Sequence, residues 1–184
     1  MYEGHLTTNP FASVRFDGVG RSKSYAVPED SEVRVLLTHC TDQWLLALLH
    51  ICLLSGMRLG EARGLHREEI ISKGNLGQFF VIKPNALRNL KTPMAEREVP
   101  VHSELQPTLL RLPSSGPLFP RVSVNVMTKA FAKLRDSVGL QHLVFHGTRK
   151  WFTTQCERTG VPEHFTASLV GPKHASTAQN PSQT

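Results

Sequence analysis

Gly56-Met57-Arg58-Leu59-Gly60-Glu61 breaks off the most apolar part of the chain and places an arginine where a new helix begins. The run before it, Asp42 through Leu54, is apolar on nearly every side, which predicts a helix at the centre of a domain rather than on its surface. Gly56 stops that helix, and Arg58 to Leu65 starts the next. Glu61 stands three residues after Arg58, so the pair by itself also fits a solvated arginine with a helical ion-pair partner.

Working outward, Pro28-Glu29-Asp30 opens the preceding helix, with proline in the first turn and acids at its positive end. After Glu69 the texture changes. Ile70-Ile71, Phe79-Phe80-Val81-Ile82 and Glu98-Val99-Pro100-Val101 are short β-prone runs, separated by Ser72-Lys73-Gly74-Asn75 and by a polar loop centred on Lys91. They predict a small antiparallel sheet, with Pro100 placing the last strand at an edge. Helices resume at Ser103-Glu104-Leu105-Gln106, a capping-box pattern leading into Leu109, Leu110 and Leu112. Pro113 to Pro120 reads as a loop. Met127, Ala130, Phe131, Leu134 and Val138 recur at helical spacing as far as Gly139. Another helix is expected from about Gly147 to Thr159, and a short one from Pro162 to Gly171. The fold class is therefore α+β, mainly helical. Residues 1–27, rich in Gly, Ser, Thr and Asn and studded with Arg15, Arg21 and Lys23, read as a linker before a domain over 28–184. The stretch from Ala175 to Thr184 is polar and aperiodic.

The 184 residues allow one good core. Lys and Arg number 21 against 15 Asp and Glu, a formal net charge of +6 that suits a polyanionic partner without requiring one. Cys40, Cys52 and Cys156 form no CxxC pair, which argues against a disulfide framework or a zinc site, and the nine histidines form no HExxH. No metal or other cofactor is expected. Neither a signal peptide nor a run long enough to span a membrane is visible, so a cytoplasmic location and no membrane partner are expected.

Three further features follow the arginine in order. Leu90-Lys91-Thr92 lies in the loop before Arg97-Glu98-Val99-Pro100-Val101, where a lysine is often only a solubilising charge. His146-Gly147-Thr148-Arg149 puts a histidine and an arginine on one face of a helix N-terminus, an end whose amides attract phosphate, and Lys150 adds a second cation beside them. A capping histidine beside a surface arginine is the plainer reading of the same residues. Ser168-Leu169-Val170-Gly171 closes the last helix.

In this order, GxRxxE, KT followed by REVPV, HxxR and LxG, the chain resembles the catalytic domain of the tyrosine recombinases, or phage integrases, over roughly Pro28 to Pro181. The resemblance implies their mainly helical fold with a small antiparallel sheet and a role in site-specific DNA recombination and integration. Its partners would be duplex DNA and other recombinase protomers. In that family a tyrosine hydroxyl attacks a phosphodiester, giving a 3′-phosphotyrosyl link and a free 5′-hydroxyl without metal. A charged transition state of this kind needs fixed cations, and arginine offers two donors in a fork that stays charged. The resemblance assigns that grip to Arg58 and Arg149, protonation of the departing oxygen to Lys91, and assistance in proton transfer to His146. Such acid–base help is worth about 10²–10⁴ in rate. It makes Glu61 a brace for the arginine, and Arg58, Lys91, Arg149 and Lys150 the DNA contacts.

The match departs from the family at its end. The family continues LxGH and places its nucleophile roughly nine residues beyond that histidine. Here the histidine position is Pro172 and the nucleophile position is Pro181. His174 is the candidate to substitute spatially for the missing histidine as a supporting group, a match that would put the nucleophile position at Gln183. The two tyrosines, Tyr2 and Tyr25, both lie far before the motifs. Ser176, Thr177, Ser182 and Thr184 carry hydroxyls that nothing nearby activates. Family members usually carry an N-terminal helical domain that closes a clamp on DNA, and this sequence shows only the linker that would follow it. It therefore reads as a truncated or decayed copy, or an excerpt of a longer protein. Three expectations stand: a recombination domain unable to cleave, a non-catalytic DNA-binding remnant that occupies recombination sites or interferes with an intact recombinase, and a basic domain with some other ligand.

Overall fold

A computed structural model of the chain describes residues 25–89 and 96–171. The first helix, α1 (Asp30–His39), starts at Glu29, whose carboxylate and that of Glu32 cap each other's backbone amides. Helix α2 (Gln43–Ser55) starts at Asp42, whose Oδ1 accepts from the amides of Trp44 at 2.9 Å and Leu45 at 3.1 Å. Eight of its residues are buried, and Leu48, Ile51 and Cys52 are wholly inaccessible, as the absence of a polar face predicts. Burying each leucine of this helix contributes about 1.5–3 kcal/mol. Gly56 ends α2 at φ 65°, and any Cβ there would lie 2.4 Å from Phe152 Cδ1 and 2.9 Å from Val170 Cγ1. Glycine is thus required twice over, by conformation and by the close approach of two later helices.

Helix α3 (Leu59–Arg63) follows, capped by Arg58 and Glu61 and ended early by Gly64. Strands β1 (Ile70–Ser72), β2 (Gln78–Ile82) and β3 (Arg97–Pro100) form an antiparallel sheet in that order. Phe80 pairs with Ile70 on one side and Val99 on the other, and Phe80, Ile82 and Val99 form its buried face. Pro100 lies on an edge strand, as a residue with no N–H should.

The expected capping box at Ser103 is not the cap that forms. His102 occupies the N-cap position, and its Nδ1 accepts from the amide of Glu104 at 3.2 Å. Ser103–Leu105 is a 3₁₀ turn leading into α4 (Gln106–Leu110), so Ser103 is already inside the helical segment. Helix α5 (Val124–Ser137) is capped by Ser123 and buries Met127, Phe131 and Leu134 at helical spacing. Helices α6 (Gly147–Arg158) and α7 (Glu163–Val170) close the domain, with α6 packed along α2.

Residues 25–30 cross the outer side of α6. Lys150 Nζ donates to the carbonyl of Tyr25 at 2.5 Å, and Trp151 Nε1 and Gln155 Nε2 both donate to Asp30 Oδ1 at 2.7 Å. Gly147 permits this, because a Cβ there would lie 3.2 Å from the Pro28 ring. The end of the stretch read as linker is therefore seated against the domain. Among the described residues no helix is long and apolar enough to cross a membrane.

Candidate functional site

Arg58 sits at the α2–α3 turn, where Gly56 redirects the chain. Its backbone amide donates to Glu61 Oε2 at 2.9 Å and its Nη1 to Glu61 Oε1 at 2.8 Å, so the carboxylate fixes both the backbone and the guanidinium. The i,i+3 ion pair that the local sequence also allowed does form, but around a carboxylate held out of solvent. The Glu61 side chain is only 7% exposed, against 36% for Arg58. Burial would raise the Glu61 pKa. The hydrogen bond and charge of Arg97, then the amide and guanidinium of Arg58, outweigh it and hold the carboxyl below the usual carboxylate range.

Arg97, the first residue of REVPV, has no role in the sequence pattern. From the start of β3 its Nη2 donates to Glu61 Oε2 at 2.8 Å, and its Nε donates to the carbonyl of Leu169 at 2.7 Å. The signal was a basic residue at a strand start after the lysine loop, but its partners stand 36 and 72 positions away.

Arg149 enters from the first turn of α6 and is buried. Its Nη1 donates to the carbonyl of Gly56 at 2.7 Å and its Nη2 to that of Gly171 at 3.3 Å, joining the ends of α2 and α7. Burial, then the charge of Arg58 and more weakly that of Arg97, lowers its pKa to about 10, against the pull of Glu61. It remains a cation at neutral pH. His146 is the N-cap of α6, with its ring edge-on to Tyr25 at a centroid distance of 6.3 Å. Burial, then the charges of Arg149, Arg58 and Lys150, hold its pKa below the ordinary imidazole value. Arg58, Glu61, Arg97, His146 and Arg149 thus form one electrostatically coupled group. Lys150 lies at its margin, with its ammonium on the Tyr25 carbonyl and 5.9 Å from the Tyr25 ring centroid.

Lys91, Pro172, His174 and Pro181 lie outside the described residues. The segment leading to Lys91 is held by a network the sequence did not reveal. Arg88 is buried and donates from Nη2 to Glu69 Oε1 at 2.8 Å and to the Lys83 carbonyl at 2.7 Å. Asn85 Nδ2 donates to the same Glu69 oxygen at 3.0 Å and to the Gly64 carbonyl at 2.8 Å. Gly64 leaves room for this, since a Cβ there would lie 2.7 Å from Arg88 Cβ. Among the described residues no group of His, Cys, Asp or Glu could hold a metal ion, and the three cysteines are buried and free.

A cluster of this kind can receive an anion: guanidiniums fixed by a buried carboxylate and by main-chain carbonyls, beside an imidazole whose protonation burial and those cations oppose. The family model described as the phage integrase family matches residues 28–180. No curated protein matches the sequence significantly. Among solved structures, the chain is similar to a lambda integrase tetramer bound to a Holliday junction, with a TM-score of 0.71 at 16% identity, covering 98% of this chain and 56% of that one. It is similar to XerA recombinase, with a TM-score of 0.64 at 19% identity, covering 85% of this chain and 57% of that one. The catalytic domain of bacteriophage HP1 integrase aligns with a TM-score of 0.61 at 19% identity, covering 83% of each. The chain therefore spans little more than half the length of the XerA and lambda chains. At such identities these likenesses establish the shared fold.

Proposed function

This chain belongs to the phage integrase family, and on that premise we propose that it binds duplex DNA and grips a backbone phosphate without cleaving it. Arg58 and Arg149 supply the paired guanidiniums, His146 a hydrogen-bonding imidazole, and Lys91 a further cation from the loop before β3. The observation that carries the proposal is the joint fixing of the two arginines. Glu61 holds Arg58, the carbonyls of Gly56 and Gly171 hold Arg149, and the charge of Arg58 lowers the proton affinity of Arg149 only because the two lie close. Cations held near one another before a ligand arrives suit an anion that neutralises both.

The absence of cleavage rests on sequence. Pro172 and Pro181 stand where the family places a phosphate-contacting histidine and the tyrosine nucleophile, and proline offers neither a donor nor a nucleophile. Such a domain would cover duplex DNA, recombination sites included, or enter assemblies with an intact recombinase, without exchanging strands. Partnership with other protomers is supported by the multimeric assembly named for the lambda integrase structure.

Binding to a short duplex across a salt series tests the proposal. Log affinity is expected to fall with log salt at a slope of about −0.9 for each phosphate neutralised. Affinity should vary little with base sequence, because phosphate contacts carry little of it. Arg58→Ala and Arg149→Gln should each weaken binding and flatten the slope. Affinity that does not change between low and physiological salt would overturn it.

A further inference from the structure

We infer that Arg97 is a positioning residue for phosphate binding, acting through Glu61 to set the guanidinium of Arg58 and, through the Leu169 carbonyl, to register α7 against it. The inference rests on the proposed reading of Arg58 as a phosphate contact.

Arg97 is poorly placed to touch DNA itself, with its side chain only 7% exposed. What it touches is the carboxylate that holds Arg58. Glu61 Oε2 receives both Arg97 Nη2 at 2.8 Å and the Arg58 amide at 2.9 Å, while Oε1 receives Arg58 Nη1 at 2.8 Å and lies 3.4 Å from Arg97 Nη1. Arg97 thus bonds chiefly to Oε2 and only at longer range to Oε1, the oxygen that receives the Arg58 guanidinium at 2.8 Å. Two guanidiniums share one negative charge, so Arg58 is oriented without being neutralised. With Arg97 gone, Glu61 would be a buried carboxylate with one cationic side-chain partner, and the arginine would be drawn onto it and away from a phosphate.

The same guanidinium supports the end of α7. Its Nε donates to Leu169 at 2.7 Å, and a Cβ on Gly171 would lie 3.2 Å from Arg97 Nη1 and 3.3 Å from its Cζ. Gly171 also offers its carbonyl to Arg149 at 3.3 Å. Arg97 therefore lies directly beneath the turn where α7 ends and links it to the turn that carries Arg58. A lysine could keep the charge but not span Glu61 and Leu169, because only the planar fork presents donors in both directions.

A double-mutant cycle on DNA affinity separates action through Arg58 from a general structural effect. Affinity for a short duplex at fixed low salt would be measured for Arg97→Met and Arg97→Lys, each with Arg58 intact and with Arg58→Ala. Thermal unfolding of every variant would be recorded alongside. With Arg58 present, Arg97→Met is expected to weaken binding about tenfold and Arg97→Lys about threefold, the range of coupling between contacting residues. With Arg58→Ala, neither change should weaken binding further. Equal weakening in both backgrounds, or none with Arg58 present, would overturn the inference while leaving the DNA reading intact. An unaltered chain that shows no salt-dependent binding overturns both. If Arg97→Met does not fold, Arg97→Lys, which keeps the charge, carries the comparison.

Discussion

Arg149 Nη1 donates to the carbonyl of Gly56 at 2.7 Å, tying the first turn of α6 to the end of α2 across 93 positions of sequence. A guanidinium proposed to meet phosphate is therefore also a structural tie, with a second bond to Gly171. Arg149→Lys keeps a cation but cannot bridge two carbonyls. It is expected to lower stability by about 1–3 kcal/mol, as when buried polar groups lose a partner. DNA affinity should fall with it, and urea unfolding beside a binding titration checks both.

The ion pair Arg88–Glu69 is more deeply buried, with side chains 1% and 8% exposed. Arg88→Met leaves the Glu69 carboxylate with Asn85 but without its cation, and should cost about 3–5 kcal/mol. Replacing both, as Arg88→Met with Glu69→Leu, should cost less than Arg88→Met alone, because no buried charge is left unpaired. Denaturant midpoints compare them.

His146 should titrate below ordinary histidine, since burial and three neighbouring cations oppose its protonation. The sign for stability follows. The unfolded chain, with a histidine pKa of about 6.5, binds this proton more readily than the folded one. Stability therefore falls as pH drops below that value toward the folded-state pKa, and is regained as pH rises. An imidazole NMR titration should show a depressed midpoint that moves up in Arg149→Gln. A midpoint at or above the ordinary value would contradict this.

The unaltered chain should give no covalent adduct on a nicked suicide duplex. Pro181→Tyr supplies a hydroxyl, but Pro172 still occupies the place of a phosphate-contacting donor. Pro172→His with Pro181→Tyr is expected to exceed the single change by about 10²–10³ in rate, the usual worth of one positioned donor. Adduct from the unaltered chain, or equal rates from the two variants, would contradict this.

Most helix limits were legible in the sequence because local chemistry writes them. Asp42 caps α2 with its own side chain, where the apolar run was read to begin, and Gly56 and Gly139 take the positive φ that stops a helix. Where two neighbouring polar residues could serve, the pattern misled: Ser103 had the capping motif, yet His102 makes the bond. Arg58, Glu61, His146 and Arg149 were legible as a set from their order and type. Arg97 and the Arg88–Asn85–Glu69 network were not. Their partners are brought to them by the sheet and by α7, and a buried arginine looks like an exposed one when only its neighbours in sequence are read.

The all-round burial of α2 also sets a timescale. The Gly56 amide is bonded to Cys52 O at 3.0 Å, so the carbonyl that seats Arg149 hangs from the last rung of the helix with the least solvent contact. Segments of that kind exchange their amide hydrogens only when the whole domain opens, whereas peripheral segments exchange through local fraying. The seat of Arg149 should therefore last as long as the fold itself. The strap at Tyr25, held from an exposed position by Lys150, should come and go many times within that interval.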